Sequence, residues 1–202
     1  KESIDTIKID AQKMTFSDVK INKKVVKFSN SGKTLNLFEG FKKGKNTLTF
    51  YYEAFPKQTM YFVDTRQVWT QGQGKYTSHW FPSFNDVNEK VIFNISVEFR
   101  NDFPVISNGA FVSNKYNSKG NLFTWNYQMQ KPMSSYLAML AIGSFAKQTA
   151  ITKSGTLLEF YLDKKDVSKF EPTYRYSREM FEYLEQKIGV KYPWGIYRQV
   201  PV

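Results

Sequence analysis

The stretch Lys90–Phe99 constrains the fold of this chain most, because its side chains alternate between apolar and polar. The apolar positions of the alternation are Val91, Phe93, Ile95, Val97 and Phe99. Ile92 is the one apolar residue among the intervening polar positions. A period of two residues is typical of a half-buried antiparallel strand. We therefore expect Lys90–Phe99 to form one β-strand.

Short segments of similar character occur through the first 160 residues, where no helical period is visible. Turn residues separate them, and many are rich in β-branched and aromatic side chains. This spacing predicts an antiparallel β-sandwich or a barrel. The further segments that we expect to be strands are Ser3–Ile9, Met14–Ile21, Val25–Phe28, Leu35–Phe38, Asn46–Ala54, Met60–Asp64, Gln67–Thr70, Phe111–Tyr116, Leu122–Met129, Tyr136–Phe145 and Leu157–Leu162.

The period changes near the C-terminal end. Apolar residues from Glu171 to Ile188 recur near helical spacing, which predicts one helix over 171–188. Pro172 suits its first turn, and Gly189 is well placed to end it. A new strand then begins at Tyr197–Val202, which indicates an excerpt from a longer protein. With 202 residues, we expect a single β-domain over 1–202.

The composition excludes several kinds of catalytic site. The chain has no cysteine and one histidine, His79, whereas catalytic zinc sites use two or more histidines. The sequence also lacks a G-x-S-x-G elbow and a P-loop. We therefore expect no catalytic residue, no metal ligand and no hydrolytic chemistry in this chain by itself. No apolar run approaches the roughly 18 residues of a membrane span, so we expect none.

The net charge of +11 is typical of proteins that bind nucleic acid or an anionic surface. However, the lysines are spread along the chain in small clusters at turns, where solvated side chains are the usual finding. No RNA-binding aromatic signature or recognition-helix pattern occurs. The sequence therefore does not favour nucleic acid, and an acidic complement elsewhere in a longer protein is an alternative.

The segment Gln71–Asp86, QGQGKYTSHWFPSFND, is the best candidate for a functional loop. It places Gln71 and Gln73 on glycine-rich backbone before a rigid Trp-Phe-Pro run. Glycine lets the backbone approach another group closely, and glutamine offers both donors and acceptors. One interpretation is the lip of a ligand site; the other is an ordinary long turn between two sheets.

Several motifs together resemble the N-terminal domain of the aminopeptidase N family of zinc metallopeptidases, which includes the leukotriene hydrolase branch. Gln71-Gly72-Gln73 resembles the family's Gln-x-Gln/Glu pair, and Trp80–Asp86 resembles its aromatic-Pro-Cys-x-Asp run. The resemblance covers most of the chain from about Asp5 onward. The other matching segments, in family order, are Val105–Gly109, Thr124-Trp125, Pro132–Leu137, Ile142–Phe145 and Tyr192–Tyr197.

The resemblance implies a mainly β, saddle-shaped antiparallel β-sandwich that caps a thermolysin-like catalytic domain of the same parent protein. It implies that Gln73 binds the free amino group of a peptide substrate, with Gln71 beside it. An ammonium group needs acceptors, and an amide oxygen supplies one. The resemblance also implies that zinc is bound by the parent's catalytic domain, because the chain stops before the positions of G-x-M-E-N and H-E-x-x-H.

The sequence departs from the family pattern at Ser83 and Asn85, where cysteine and aspartate are common, so this turn is expected to be braced differently. Two other functions are alternatives to a capping domain. One is a non-catalytic, peptidase-like scaffold for protein–protein contact; the other is a basic β-domain that binds nucleic acid or an acidic glycan. The residues favour neither the cytoplasm nor the bacterial cell envelope.

Overall fold

The computed structural model describes residues 6–100 and 103–201, most of which belong to strands and the turns between them. Two α-helices follow the strands, α1 (Phe170–Tyr174) and α2 (Ser177–Ile188). The expected mainly β, sandwich-type fold with a helix near its C-terminal end is confirmed. The strands are β1 (Ile7–Asp10), β2 (Met14–Ile21), β3 (Lys24–Val25), β4 (Phe28–Asn30), β5 (Thr34–Leu37), β6 (Leu48–Ala54), β7 (Met60–Val63), β8 (Gln67–Thr70), β9 (Lys90–Val91), β10 (Asn94–Arg100), β11 (Val105–Ser107), β12 (Ala110–Asn117), β13 (Leu122–Gln128), β14 (Met133–Ser134), β15 (Leu140–Ile142), β16 (Phe145–Ile151), β17 (Leu157–Asp163) and β18 (Ile196–Gln199).

The described residues form two compact units. Unit 1 contains the described residues up to Tyr61, together with Thr70–Lys90 and Ser134–Ala138. Unit 2 contains the described parts of 62–69, 91–133 and 139 onward. The expectation of a single domain over 1–202 stays a prediction.

Unit 1 contains the sheets β1-β5-β4 and β3-β2-β6. Strand β2 buries apolar side chains along its whole length although their alternation with polar residues is interrupted. Met14 and Val19 are both buried although five positions separate them, because the pairing with β6 shifts register between Ser17 and Lys20. Asp18 has a positive φ of 51° within this bulge. An inserted residue reverses the alternation. One cluster of buried hydrophobic residues in this unit consists of Ile9, Val19, Ile21, Val26, Leu35 and Leu37.

Unit 2 contains the antiparallel sheet β10-β13-β12, in which β13 is the central strand, and the sheet β16-β17-β18. The first pairing runs in register from Asn94 opposite Gln128 to Arg100 opposite Leu122. In the second sheet, β16 and β17 are antiparallel, whereas β17 and β18 are parallel. A parallel pair needs a crossover connection, and here α1 and α2 supply it. This sheet is therefore mixed, in contrast to the purely antiparallel pairing expected from the alternation.

The predicted helix over 171–188 is found near its expected place but as two helices. The break lies at Arg175 and Tyr176, between α1 and α2. Gly189 ends α2 in the left-handed conformation, with a φ of 74°, as its position after the last apolar residue predicts. Phe181 on α2 packs against the Tyr192 and Tyr197 rings, which attaches this helix to β18.

Two strand boundaries differ from the sequence prediction. Lys90–Phe99 is not one strand: β9 and β10 belong to different sheets, and Ile92, 51% exposed, lies between them. The one exception to the alternation therefore marks the break. Tyr136–Phe145 is also not one strand, because a 3-10 helix covers Ser135–Leu137 and only Leu140–Ile142 pairs before Gly143. An apolar run does not distinguish these conformations.

Three further boundaries concern short or terminal segments. The strand predicted over Val25–Phe28 is found as two short strands, β3 and β4, with Val26 and Lys27 between them. The Ser3–Ile9 strand is found from Ile7, and its residues 3–5 lie outside the described part of the chain. The Tyr197–Val202 strand is found as β18, and residue 202 also lies outside it.

Candidate functional site

The loop Gln71–Gly74 begins where β8 ends, and it exposes both predicted site residues. Gln71 and Gln73 are exposed, whereas Gly72 between them is buried. The backbone N–H of Gln71 donates to the carbonyl oxygen of Thr59 at 2.8 Å. Thr59 is only 2% exposed. The loop is therefore fixed at its start while both glutamine side chains are accessible.

Gly72 holds the middle of this loop through close packing that no other residue could provide. A Cβ atom at this position would lie 2.3 Å from Oγ1 of Thr77 and 2.9 Å from the carbonyl oxygen of Tyr136. Thr77 is itself fixed, since its Oγ1 donates to the carbonyl oxygen of Ser135 at 3.1 Å. The absence of a side chain is thus a requirement of the close approach.

Gln71 and Gln73 line one cavity of about 480 Å³. The amide nitrogen of Gln71 donates to Oε1 of Gln73 over a long 3.4 Å. The described residues around the cavity offer amide, hydroxyl and phenol groups but no carboxylate and no cationic side chain. The pair predicted from the sequence is thus brought together at a neutral, polar cavity. The lining residues are Gln58, Thr59, Tyr61, Gln71, Gln73, Gly74 and Tyr76.

Gln58, Thr59 and Tyr61 are the lining residues that sequence reasoning missed. Gln58 and Thr59 lie just before β7 and Tyr61 lies within it, and β7 neighbours β8 in the same sheet. The turn between these strands includes Asp64, which has a positive φ of 51°. Recognising that turn as a hairpin would have predicted the juxtaposition, because a hairpin places the first residues of one strand beside the last of the next.

His79 contacts Gln58, one of the residues that line the cavity. The side-chain nitrogen of Gln58 lies 3.0 Å from Nε2 of His79, and the Tyr76 ring lies 5.8 Å from the imidazole ring. Burial lowers the pKa of His79 below its usual 6.5, and the charge of Lys13 lowers it further. A neutral imidazole here contacts the Gln58 side chain, which indicates a structural role for His79.

The turn after the Trp-Phe-Pro run is braced by Asp10 and Ser78. The backbone of Ser83 exchanges two hydrogen bonds with that of Asp10, at 2.9 and 3.0 Å. The backbone N–H of Asn85 donates to Oδ2 of Asp10 at 3.0 Å, and its side-chain amide donates to Oγ of Ser78 at 2.9 Å. Asn85 is therefore held by a carboxylate and a hydroxyl, and Ser83 by the backbone of Asp10.

Two further findings concern metals and membranes. Within 6–100 and 103–201, no group of three or more histidine, cysteine, aspartate or glutamate residues is placed to hold a metal ion. Neither of the two α-helices in these ranges has the length and apolar character that crossing a membrane requires.

Comparison with known protein families gives a match over residues 1–137 to the model of the peptidase M1 N-terminal domain. Among curated proteins, the chain is 25% identical over 124 residues to the puromycin-sensitive aminopeptidase of Caenorhabditis elegans. That match covers 61% of this chain and 13% of the relative. The chain thus spans a small part of the length of this relative.

Solved structures share the fold. The Legionella pneumophila aminopeptidase A in complex with aspartic acid superposes with a TM-score of 0.84 at 15% identity, over 98% of this chain and 24% of that one. An M1 zinc metallopeptidase mutant from Deinococcus radiodurans gives 0.80 at 14% identity, over 96% and 48%. At these identities the likeness concerns the fold alone.

Proposed function

Because the chain belongs to the peptidase M1 N-terminal domain family, we propose that it is the substrate-capping part of a zinc-dependent aminopeptidase. In this proposal the longer protein removes N-terminal residues from peptides. Gln73 accepts a hydrogen bond from the free amino group of the peptide, and Gln71 lies beside it. The parent's catalytic domain is the partner of this chain.

The observation that carries the proposal is the shared cavity of Gln71 and Gln73. Their loop is fixed by Thr59 and by the close packing of Gly72, so little ordering remains to be done when a ligand binds. The 3.4 Å contact between the two amides is long, and an ammonium group would compete with it effectively, since hydrogen bonds with an ionised partner are shorter and stronger.

The neutrality of the cavity favours a ligand that brings its own charge. An ammonium group has three donors and no acceptor, and the glutamine oxygens and the hydroxyl of Tyr61 are acceptors. A neutral amide binds an ammonium group less tightly than a carboxylate does. We therefore propose that this chain orients the N-terminus of the peptide and supplies only part of the binding free energy.

The zinc of the proposed enzyme belongs to another part of the protein. The one histidine and the absence of cysteine do not provide the ligands that a catalytic zinc site uses. In such enzymes the metal polarises a water molecule or the scissile carbonyl group. The described residues of this chain contribute contacts to the amine only, so no step of peptide hydrolysis is assigned to them.

The test is Gln73→Ala in the full-length protein, with Gln148→Ala, an exposed glutamine in unit 2, as the matched control. Losing a hydrogen bond to a charged group costs about 1.5–3 kcal/mol, which is roughly a 10- to 150-fold rise in KM for peptides with a free N-terminus. Binding of N-acetylated peptides should be unchanged. Equal kinetics for the two variants would refute the role of Gln73.

A full-length protein that binds peptides without cleaving them would instead support the non-catalytic scaffold. The two results are distinguishable, because turnover by the unmodified protein is measured before any variant is made. Chelation followed by zinc return gives a second readout, since a zinc enzyme loses and regains its activity.

A further inference from the structure

Although lysines occur along the whole chain, one segment of unit 1 supplies much of the net positive charge. The segment 18–45 has eight lysines against two acidic residues, Asp18 and Glu39, so it supplies more than half of the net charge of +11. Asp18 pairs with Lys20 at 2.6 Å, and Glu39 accepts from the backbone N–H of Lys27 at 2.9 Å. The other lysines of this segment have no carboxylate of the same segment to balance their charge.

Two asparagines bring the separate lysine clusters together. Nδ2 of Asn22 donates to Oδ1 of Asn46 at 2.9 Å. Oδ1 of Asn22 accepts from the N–H of Thr47, and Asn46 closes its own loop through the backbone of Lys42 and the carbonyl oxygen of Gly44. The hairpin between β2 and β3 therefore lies beside the loop 42–45. We call the exposed lysines of these two turns the basic surface: Lys23, Lys24, Lys42, Lys43 and Lys45.

The basic surface is unneutralised and includes an exposed apolar residue. Within the described ranges, none of its five lysines has a carboxylate within ion-pair distance. Val25, next to Lys24 on the edge strand β3, is 73% exposed. Lysines around an exposed aliphatic side chain suit the boundary between lipid headgroups and acyl chains.

The backbone at the tip of the hairpin gives a second indication of function. Asn22 and Lys23 both have positive φ, 52° and 70°, as a two-residue hairpin turn requires. Asparagine tolerates this conformation, but a lysine adopts it at a conformational cost, and glycine is the usual residue there. A strained backbone that carries an exposed charge is an indication of a binding role.

We propose that the basic surface binds the anionic headgroups of a phospholipid membrane. This proposal does not depend on the aminopeptidase function. Nucleic acid fits the surface less well, because the segment 18–45 has no arginine, the residue that reads phosphates and guanine in fork geometry. Val25 also has no ring on which a base could stack. Lysines act instead as mobile point charges, which suit a diffuse anionic layer.

The test uses the full-length protein and two kinds of vesicle, phosphatidylglycerol with phosphatidylcholine in equal parts and phosphatidylcholine alone. We expect binding to the first only, and a loss of binding as salt rises from about 0.1 M to about 1 M, which shortens the screening distance from about 10 Å to about 3 Å. Each lysine near such a surface raises the partition coefficient roughly fivefold.

A triple variant with Lys24→Gln, Lys43→Gln and Lys45→Gln should therefore bind these vesicles about a hundredfold less tightly. The matched control replaces the exposed lysines Lys115, Lys119 and Lys131 by glutamine, which removes the same charge from unit 2. An equal loss in both triples would overturn the proposal, since net charge alone would then explain binding.

Two further measurements test the role of the basic surface. Lys23→Gly removes one charge from a turn that glycine fits well, so a stable fold with weaker vesicle binding would support it. Tighter binding to single-stranded RNA than to the vesicles, or no vesicle binding because an acidic part of the protein covers the lysines, would overturn it.

Discussion

Arg198 and Glu159 form a buried ion pair, with Nε of Arg198 2.5 Å from Oε2 of Glu159 and both side chains 9% exposed. Nη1 of Arg198 also donates to the carbonyl oxygens of Ser107 and Gly109, at 2.9 and 2.6 Å. Burial alone would raise the pKa of Glu159, but the charges and hydrogen bonds of Arg198 and Lys147 lower it below 4.5. The pair therefore stays ionised and ties β18 to β17 and to the turn after β11.

Replacing Arg198 by alanine should destabilise the chain strongly. The change leaves the Glu159 carboxylate buried without its main partner, which typically costs about 3–5 kcal/mol. The control is Arg66→Ala, because Arg66 pairs with Asp64 at 3.0 Å but both side chains are more than two thirds exposed. Surface pairs contribute about 0–1 kcal/mol. Urea unfolding measures the stability of both variants. Similar midpoints would show that the buried pair contributes no more to stability than the surface pair.

The imidazole of His79 should titrate below pH 6.5, with burial as the main cause and Lys13 as the second. Because the chain has one histidine, its two ring C–H protons give the only histidine signals in the NMR titration. Lys13→Gln should raise the pKa part of the way, whereas Lys57→Gln should not change it. A titration at or above 6.5 in the unmodified protein would contradict the burial of this ring.

The same shift has a consequence for stability. The unfolded chain binds a proton at His79 more tightly than the folded chain does, so the contribution of His79 is fully present above pH 6.5. It declines as pH falls from 6.5 toward the lower folded-state pKa. In His79→Gln this part of the pH dependence should be absent when urea midpoints are compared across that range.

Gly72→Ala should displace the Gln71–Gly74 loop. The added methyl group would meet Thr77 and the backbone of Tyr136, and overpacking of this kind costs about 1–3 kcal/mol. Gly120→Ala is the control, since its nearest neighbours are side-chain atoms of Leu122, which can move. Thermal unfolding measures the difference. If the two alanine variants melt together, the loop is not fixed by Gly72.

Gln73→Glu in the full-length protein should tighten the binding of peptides with a free N-terminus about tenfold, since charge-assisted hydrogen bonds are roughly twice as strong as neutral ones. The donor of Gln71, 3.4 Å away, would hold the new carboxylate in place. Isothermal titration with a non-hydrolysed peptide measures the gain. Weaker binding would indicate that the amide of Gln73 donates to the ligand.

Much of the fold could be predicted because alternation reports which face of a strand is buried. The individual strands β10, β12 and β13, though not their order in the sheet, and the end of α2 at Gly189 followed from side-chain period and turn chemistry. The break at Ile92 did not, because pairing partners decide where a strand changes sheets, and one chain segment carries no information about them. The parallel pairing of β18 depends in the same way on distant residues.

The candidate site was predicted only in part for the same reason. Gln71 and Gln73 are neighbours in sequence, so their shared position was visible from the residues and the family resemblance. Gln58 and Tyr61 reach the same cavity through the pairing of β7 with β8. The convergence of the lysine clusters likewise depends on the contact between Asn22 and Asn46, which are 24 residues apart.

The parallel pairing of β17 and β18 leads us to expect an order of events during folding. The hairpin of β16 and β17 joins neighbours in the chain and can form early, whereas β18 arrives only after the crossover through α1 and α2 has closed a long loop. Until then Glu159 remains hydrated, so its charge is removed from water only when Arg198 arrives with β18. We therefore expect the burial of this charge to wait for β18, and a chain that stalls before β18 pairs exposes the edge of β17 to other molecules.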